Sequence, residues 1–177
     1  MAQAWRQWLA TPLGGYLRDW EQAQLDAAVV DVFGYHAVQL DSPELNGLQA
    51  NRMPHRWTLR SWAESDESDE AAAPRPLVAC DLVAEGAALP FEAGSLDLVV
   101  MPHTLELCED PHATLREVER VLVPEGHVVI TGLNPVSLWG WHQRRTALYQ
   151  RLGWRDAVHE GLGNLIAYWR LRDWLRL

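Results

Sequence analysis

Residues Leu89 to Pro135 read LPFEAGSLDLVVMPHTLELCEDPHATLREVERVLVPEGHVVITGLNP. Three elements can be read directly from this stretch. Asp97 to Met101 is an apolar run stopped by Pro102, which suits a buried strand. Asp110-Pro111 offers a capping carboxylate followed by proline at the first helical position. Leu115, Val118, Val121 and Leu122 then recur at helical spacing, and Pro124-Glu125-Gly126 ends the helix with a turn. His127 to Gly132 is a second buried strand. A strand, a helix and a strand at this spacing form a parallel βαβ unit.

Working upstream, Leu77 to Cys80 and His55 to Trp62 read as two more strands, the latter with side chains alternating around Trp57 and Leu59. Between them lies AESDESDEAAAPRP, which is acidic, rich in alanine and closed by proline. Residues 63–76 are therefore expected to form a mobile loop. HAVQL, His36 to Leu40, is the first strand, and LNGLQANR after it suits a short helix weakened by Gly47. Thr11-Pro12 starts an earlier helix. Its apolar stripe is expected at Leu17, Trp20, Leu25, Ala28, Val29, Val32 and Phe33, with Gly34 as its end.

The organisation expected is one domain over residues 1–177. It has a helical region at 1–35, a sheet core at 36–134 and Trp- and Arg-rich helices at 135–177. Those last helices could lie on a membrane surface. Burial of their aromatic rings against the sheet, with arginines reaching out to solvent, accounts for the same composition.

The 177 residues are 48% hydrophobic, enough for a real core. The net charge is −9 and there is no lysine, which argues against a nucleic-acid partner, since gripping a phosphate backbone needs clustered cations. Two cysteines, Cys80 and Cys108, are too few for a disulfide framework. No segment reaches the length of a membrane span or carries a signal-peptide core, so a cytoplasmic location is expected. His103, Cys108, Glu109, Asp110 and His112 fall close together, but their spacing matches no recognised ligand pattern, and no metal is expected.

The long stretch resembles the class I, S-adenosylmethionine-dependent methyltransferases, and within them the branch acting on small molecules and lipids. The residues that carry the resemblance are Leu89-Pro90-Phe91, Ser95-Leu96-Asp97, His103, Leu115-Arg116-Glu117, Arg120-Val121-Leu122 and Pro124-Glu125-Gly126. The resemblance implies an α/β fold: a Rossmann-like doubly wound parallel sheet, the class I methyltransferase fold. The family's C-terminal β-hairpin has no counterpart here. The chain reaches Leu177 in mid-pattern, so either it is truncated or helices replace the hairpin. The strand at His127–Gly132 would then be a bare edge, expected to be covered by the C-terminal helices or by another copy in a homo-oligomer.

The resemblance also implies a cofactor, S-adenosylmethionine, and a small-molecule or lipid acceptor. Its cofactor residues fall on Leu40, Asp41 and Ser42 in the first turn, Asp81, Glu85, Ala88 and Leu89 after the third strand, and Pro102 after the fourth. Family spacing favours Glu85 for the adenine amino group, and the strand end favours Asp81. His103 and Glu106 fall where acceptor positioning or proton removal takes place, since histidine titrates near neutrality. Each also has a plain structural reading, as a turn histidine bonded to backbone and as a solvated helix start. Asp97 is read as the anchor of a strand start, and Asn134-Pro135 as either acceptor wall or turn.

The first turn departs from the family. Asp41 and Pro43 occupy the places of the first two glycines of a Gly-x-Gly-x-Gly turn. Asp41 brings a side chain where the cofactor approaches backbone, and Pro43 lacks a donor N–H. The acid that usually follows the second strand is replaced by Arg60 and Ser61. Two functions follow from this. One is a methyltransferase with a degenerate glycine motif. The other is a methyltransferase-fold protein that has lost the cofactor and serves as a binding or interaction module.

Overall fold

The computed structural model describes residues 9–61, 79–134 and 165–176. The acidic loop, Glu64 and most of the C-terminal segment lie outside the described residues. Helix α1 runs from Pro12 to Val29, with Thr11 Oγ1 accepting from the Gly14 amide at 3.1 Å. Strand β1 is His36–Leu40, β2 His55–Arg60, β3 Leu82–Val83, β4 Leu96–Pro102 and β5 Leu122–Thr131. Helices α2 (Thr104–Leu107) and α3 (Pro111–Val121) follow β4, and α4 (Tyr168–Trp174) lies near the end.

The strands pair in the order β3-β2-β1-β4-β5, all parallel. Strand order reverses between β1 and β4, so their carboxyl ends flank the topological switch point where open α/β sheets bind ligands. Successive residues of β4 face opposite ways. Val99 and Met101 join Val38, Leu40, Val118 and Val121 in one buried cluster, while Leu98 and Val100 join Leu25, Val29 and Ala37 in another. Helix α1 thus covers one face and α3 the other, which makes the sheet doubly wound as expected.

Local chemistry explains several boundaries. Asp110 Oδ1 accepts from the amides of His112 and Ala113 and caps α3. Asp97 Oδ2 accepts from the amides of Tyr35 and His36 at 2.9 Å each, so it anchors the entry of β1 as the sequence suggested. A Cβ on Gly34 would come within 2.4 Å of the Asp97 side chain, so this approach requires glycine. The Pro124-Glu125-Gly126 turn forms as an excursion within β5. Leu122 pairs with Leu96 and His127 with Leu98, so the residues between bulge outward, with Glu125 at φ 68°.

Three local expectations are corrected. LNGLQANR forms turns rather than a helix. The Gly47 amide donates to Gln39 Oε1 at 2.7 Å, and a Cβ there would press on Val100, so the segment packs as irregular chain. The third strand is Leu82–Val83, with Ala79 and Cys80 leading into it as coil. On α1 the buried stripe is Gly14, Glu21, Leu25 and Val29, and the helix ends at Val29. Trp20 (54% exposed) and Phe33 (72% exposed) point to solvent. Trp20 precedes a buried position by one residue, which turns it about 100° off the stripe.

The Trp- and Arg-rich segment before Asn164 lies outside the described residues. Within α4, Leu171 packs with Ile166 against the cluster that holds Leu105, Val128 and Ile130. Among the described residues β5 is bonded only to β4 and ends the sheet. No described helix is long and apolar enough to cross a membrane.

Candidate functional site at the switch point

The turn after β1 is built on Gln39, whose side chain is fully buried. Gln39 Nε2 donates to the carbonyls of Asp41, Ser42 and Leu45 at 3.2, 3.2 and 2.9 Å. With Gly47 on its Oε1, one amide side chain holds four backbone groups. Asp41 and Ser42 take φ values of 54° and 47°, the left-handed region in which the family uses glycine. The glycine-turn backbone is therefore present without the glycines.

The two side chains point into the protein. Asp41 Oδ1 accepts from the Ser61 amide at 2.9 Å, and the Asp41 amide continues the ladder to the Leu59 carbonyl. Ser42 Oγ donates to the Pro102 carbonyl at 2.7 Å, and Thr104 Oγ1 donates to the Leu40 carbonyl at 2.9 Å. The carboxyl ends of β1 and β4 are thus stitched together through Leu40, Ser42, Pro102 and Thr104.

His103 follows β4 at φ 55° and is 1% exposed. Its Nδ1 lies 2.8 Å from Glu106 Oε2, and its Nε2 lies 3.0 Å from both carboxylate oxygens of Glu21 on α1. Glu106 Oε1 in turn accepts from the Leu133 amide at 2.6 Å, beyond β5. Burial alone would push the imidazolium pKa down. The hydrogen bonds and charges of Glu106 and Glu21 outweigh burial and raise it to about 9. His103 is therefore a cation at neutral pH, with both ring nitrogens donating to carboxylates. It orients its neighbours and is not a free base in this state. His103 does occupy a turn, with its ring bonded to two carboxylates, and Glu106 is buried rather than solvated.

On the loop after β3, Glu85 and Ala88 are exposed and joined by a turn, the Ala88 amide donating to the Glu85 carbonyl at 3.0 Å. Leu89 is buried beneath them. Asp81 Oδ2 accepts from the Thr58 amide at 2.8 Å, so Asp81 fastens β2 to the start of β3. The Leu-Pro-Phe loop is clamped from α3. Glu117 Oε1 accepts from the Leu89 amide at 2.9 Å, and Arg120 Nη2 donates to the Phe91 carbonyl at 2.9 Å while paired with Glu117.

Sequence reading placed His103, Glu106, Leu40, Asp41, Ser42 and Pro102 together, and the structure brings them together at the switch point. Glu85, Ala88 and Leu89 form a separate wall. Glu21 and Gln39 were missed. For Glu21 the signal was present: it lies four residues before Leu25 and eight before Val29, an acid on an apolar helical stripe. Among the described residues no group of three or more His, Cys, Asp and Glu could hold a metal ion.

With the fold and site in view, the comparisons with known proteins fall into place. Residues 58–130 match the family model described as "Methyltransferase domain". The fold is the class I methyltransferase fold, and the family match covers less than half of the chain. YafS of Escherichia coli K12 is 28% identical over 177 residues, covering 96% of this chain, and the chain spans 62% of the length of YafS. Among solved structures, a Thermotoga maritima S-adenosylmethionine-dependent methyltransferase, described as a possible histamine N-methyltransferase, superposes with a TM-score of 0.62. It is 14% identical and covers 99% of this chain and 79% of its own. A Haloferax volcanii putative methyltransferase, solved with the Trm112 methyltransferase activator, has a TM-score of 0.61 and 21% identity over 97% of this chain and 74% of its own. The Thermotoga protein is described as S-adenosylmethionine-dependent, so that cofactor is the one to test against this site.

Tested that way, the site fits at two places and departs at two. The left-handed backbone at Asp41–Ser42 and the open wall at Glu85–Ala88 fit. Arg60 stands where a ribose-binding acid is usual, with its Nε buried and without a hydrogen-bond partner. The inward Asp41 and Ser42 side chains leave the turn's backbone, rather than a glycine cradle, to meet a ligand.

Proposed function

We propose that this chain is the cofactor-binding core of an S-adenosylmethionine-dependent methyltransferase acting on a small molecule or lipid. The observation that supports this most is the gathering of three left-handed, non-glycine residues, Asp41, Ser42 and His103, at the carboxyl ends of β1 and β4. Strained backbone of this kind costs on the order of 1–3 kcal/mol per residue, persists only where the surrounding structure holds it, and clusters at active sites. In this reading the turn backbone at Leu40–Ser42 and Pro102 receive the amino-acid end of the cofactor. Glu85, Ala88 and Leu89 border the adenine, and Asp81 holds their loop in place.

The cofactor supplies an activated methyl group, so the protein's share is positioning donor and acceptor and receiving a proton. His103 and Glu106 are assigned to the acceptor side. A second copy of the chain covering β5 at His127–Gly132 belongs to the same reading, and light scattering checks it.

The test is calorimetric titration with S-adenosylmethionine and S-adenosylhomocysteine, since a ligand of the native state must raise its stability. Binding is expected, and Glu85→Ala should weaken it. Absence of binding at millimolar ligand rejects the enzyme in favour of the interaction module. The inward hydrogen bonds of Asp41 and Ser42 are the observation on that module's side.

A further inference from the structure

Beside Glu106 the structure holds a cleft of about 170 Å³, open on one side. Its walls are mostly apolar, chiefly Leu105, Ile130, Leu133, Ile166 and Leu171; Thr131, Asn134 and Tyr168 add polar groups, and Glu106 is the charged group among them. It sits at the carboxyl ends of β4 and β5. A cavity of about 150 Å³ engineered in another protein holds a benzene molecule, so this cleft admits a body of about that size.

Glu106 enters the cleft wall already oriented. Its Oε2 is bonded to His103 Nδ1 at 2.8 Å and its Oε1 to the Leu133 amide at 2.6 Å, and each carboxylate oxygen has a second lone pair. His103 is held from its other nitrogen by Glu21, 82 residues away in sequence. A buried polar chain therefore runs from α1 through the end of β4 to the cleft. Glu21 is the charged member of the buried stripe of α1, beside Gly14, Leu25 and Val29. Removing Glu21 would take away the carboxylate that fixes His103 Nε2 and so loosen the ring that holds Glu106 Oε2.

We infer that the cleft binds a compact, largely apolar molecule through one hydrogen-bond-donating nitrogen, an amine, which meets Glu106, and that Glu21 is the positioning residue that holds Glu106 in place through His103. Its role as the acceptor site rests on the methyltransferase reading above; the binding itself does not. A carboxylate in an apolar cleft favours a cationic donor over a neutral one, because hydrogen bonds to charged groups are about twice as strong. A body without a donor would leave the second lone pairs of the Glu106 oxygens desolvated, beyond the bonds they already make to His103 and Leu133.

The probes are benzylamine, benzyl alcohol and toluene, titrated into the full chain by protein-observed NMR. Benzylamine should bind about tenfold more tightly than toluene, with benzyl alcohol between them. Leu171→Trp, which fills the cleft, should abolish binding of all three. Glu106→Gln should erase the preference for the amine. Glu21→Ala should weaken benzylamine about tenfold and leave toluene unchanged. Glu21→Gln keeps an acceptor for His103 Nε2–H and should stay near the wild type.

A merely structural Glu21 would lower stability without separating the amine from toluene. If Glu21→Ala does not fold, Glu21→Asp replaces it: one methylene shorter, it should lose affinity that Glu21→Gln keeps. Equal affinity of benzylamine and toluene, no effect of Leu171→Trp, or equal amine affinity across the Glu21 variants overturns the proposal. Amine binding together with failed S-adenosylhomocysteine binding would reject the methyltransferase reading and leave the cleft standing. The reverse pattern would do the opposite.

Discussion

Two regions border the switch point and are built in opposite ways. From Leu89 to Thr131 the chain follows the family pattern, and its polar side chains serve backbone: Glu117 and Arg120 clamp the Leu-Pro-Phe loop, and Asp110 caps α3. From Gln39 to Gly47 the chain departs from the pattern, and its polar side chains are buried. Gln39, Asp41 and Ser42 build an internal hydrogen-bond scaffold where the family has a glycine turn. Surface clamps fail one contact at a time. A buried scaffold fails as a unit, because each unpaired group inside costs its full desolvation. The contrast predicts that mutations at the departed region will be the more damaging ones.

The largest effect is expected at His103, where the two regions meet. His103→Leu leaves Glu21 and Glu106 as buried carboxylates without the cation between them, and removing one partner of a buried ionic group costs about 3–5 kcal/mol. Urea unfolding should show this loss, and a change under about 1 kcal/mol would mean that the two carboxylates accommodate the loss independently of His103.

Gln39→Leu comes next. It removes the donor from three carbonyls in a buried turn and strands the Gly47 amide, and that unsatisfied donor alone costs about 1–3 kcal/mol. A drop much smaller than that of His103→Leu, with the turn amides still protected from exchange, would show that positive-φ backbone at Asp41 and Ser42 stands without its scaffold.

The same contrast sets what could be read in the sequence. Helix α3 was legible because its cap, its Pro at the first position and its apolar spacing are all local. So was β4. Pro124 to Gly126 read as the turn between helix and strand, whereas β5 already pairs at Leu122 and the turn is an excursion within it. The turn after β1 was legible as a departure, since Asp41 and Pro43 stand where glycines belong. Its outcome was not, because whether Asp41 blocks or braces depends on Ser61, 20 residues away. The segment at Leu45–Arg52 read as helix by composition, yet Gln39 and Val100 capture Gly47 from outside. Trp20 and Phe33 read as core by spacing, yet the register of α1 turns Trp20 out and the helix ends before it reaches Phe33. Glu21 carried its own signal, but its partner His103 lies across the fold, and no periodicity reveals a pairing over that distance.

The pH dependence of stability sharpens the comparison further. His103 is raised from 6.5 to about 9 by its two carboxylates against the pull of burial. A folded pKa above the unfolded one means that the contribution is complete below pH 6.5 and is lost as pH rises through about 9. The loss across that window is at most about 3 kcal/mol by linkage, and unfolding free energies on either side of it measure it. Glu21→Gln should shrink the window, since the charge that helps raise the imidazole is gone. A flat profile in the wild type would remove the imidazolium from the site.

The smallest effect belongs to the conforming region. Arg120 is solvent-exposed, and pairs of that kind contribute little to global stability. Arg120→Ala should therefore shift the unfolding midpoint less than any change above. It should still act locally, because Arg120 aims Glu117, whose carboxyl it holds below the ordinary range, at the Leu89 amide. Hydrogen exchange at Leu89 should quicken while the amides of the Gln39–Gly47 turn stay protected. Arg120→Lys should recover little of this protection, since a point ammonium cannot reach Glu117 and the Phe91 carbonyl together as a planar guanidinium does. Equal acceleration in both regions would mean that the loop clamp and the buried scaffold form one cooperative unit, and the division between a surface that frays and a site that fails whole would fall.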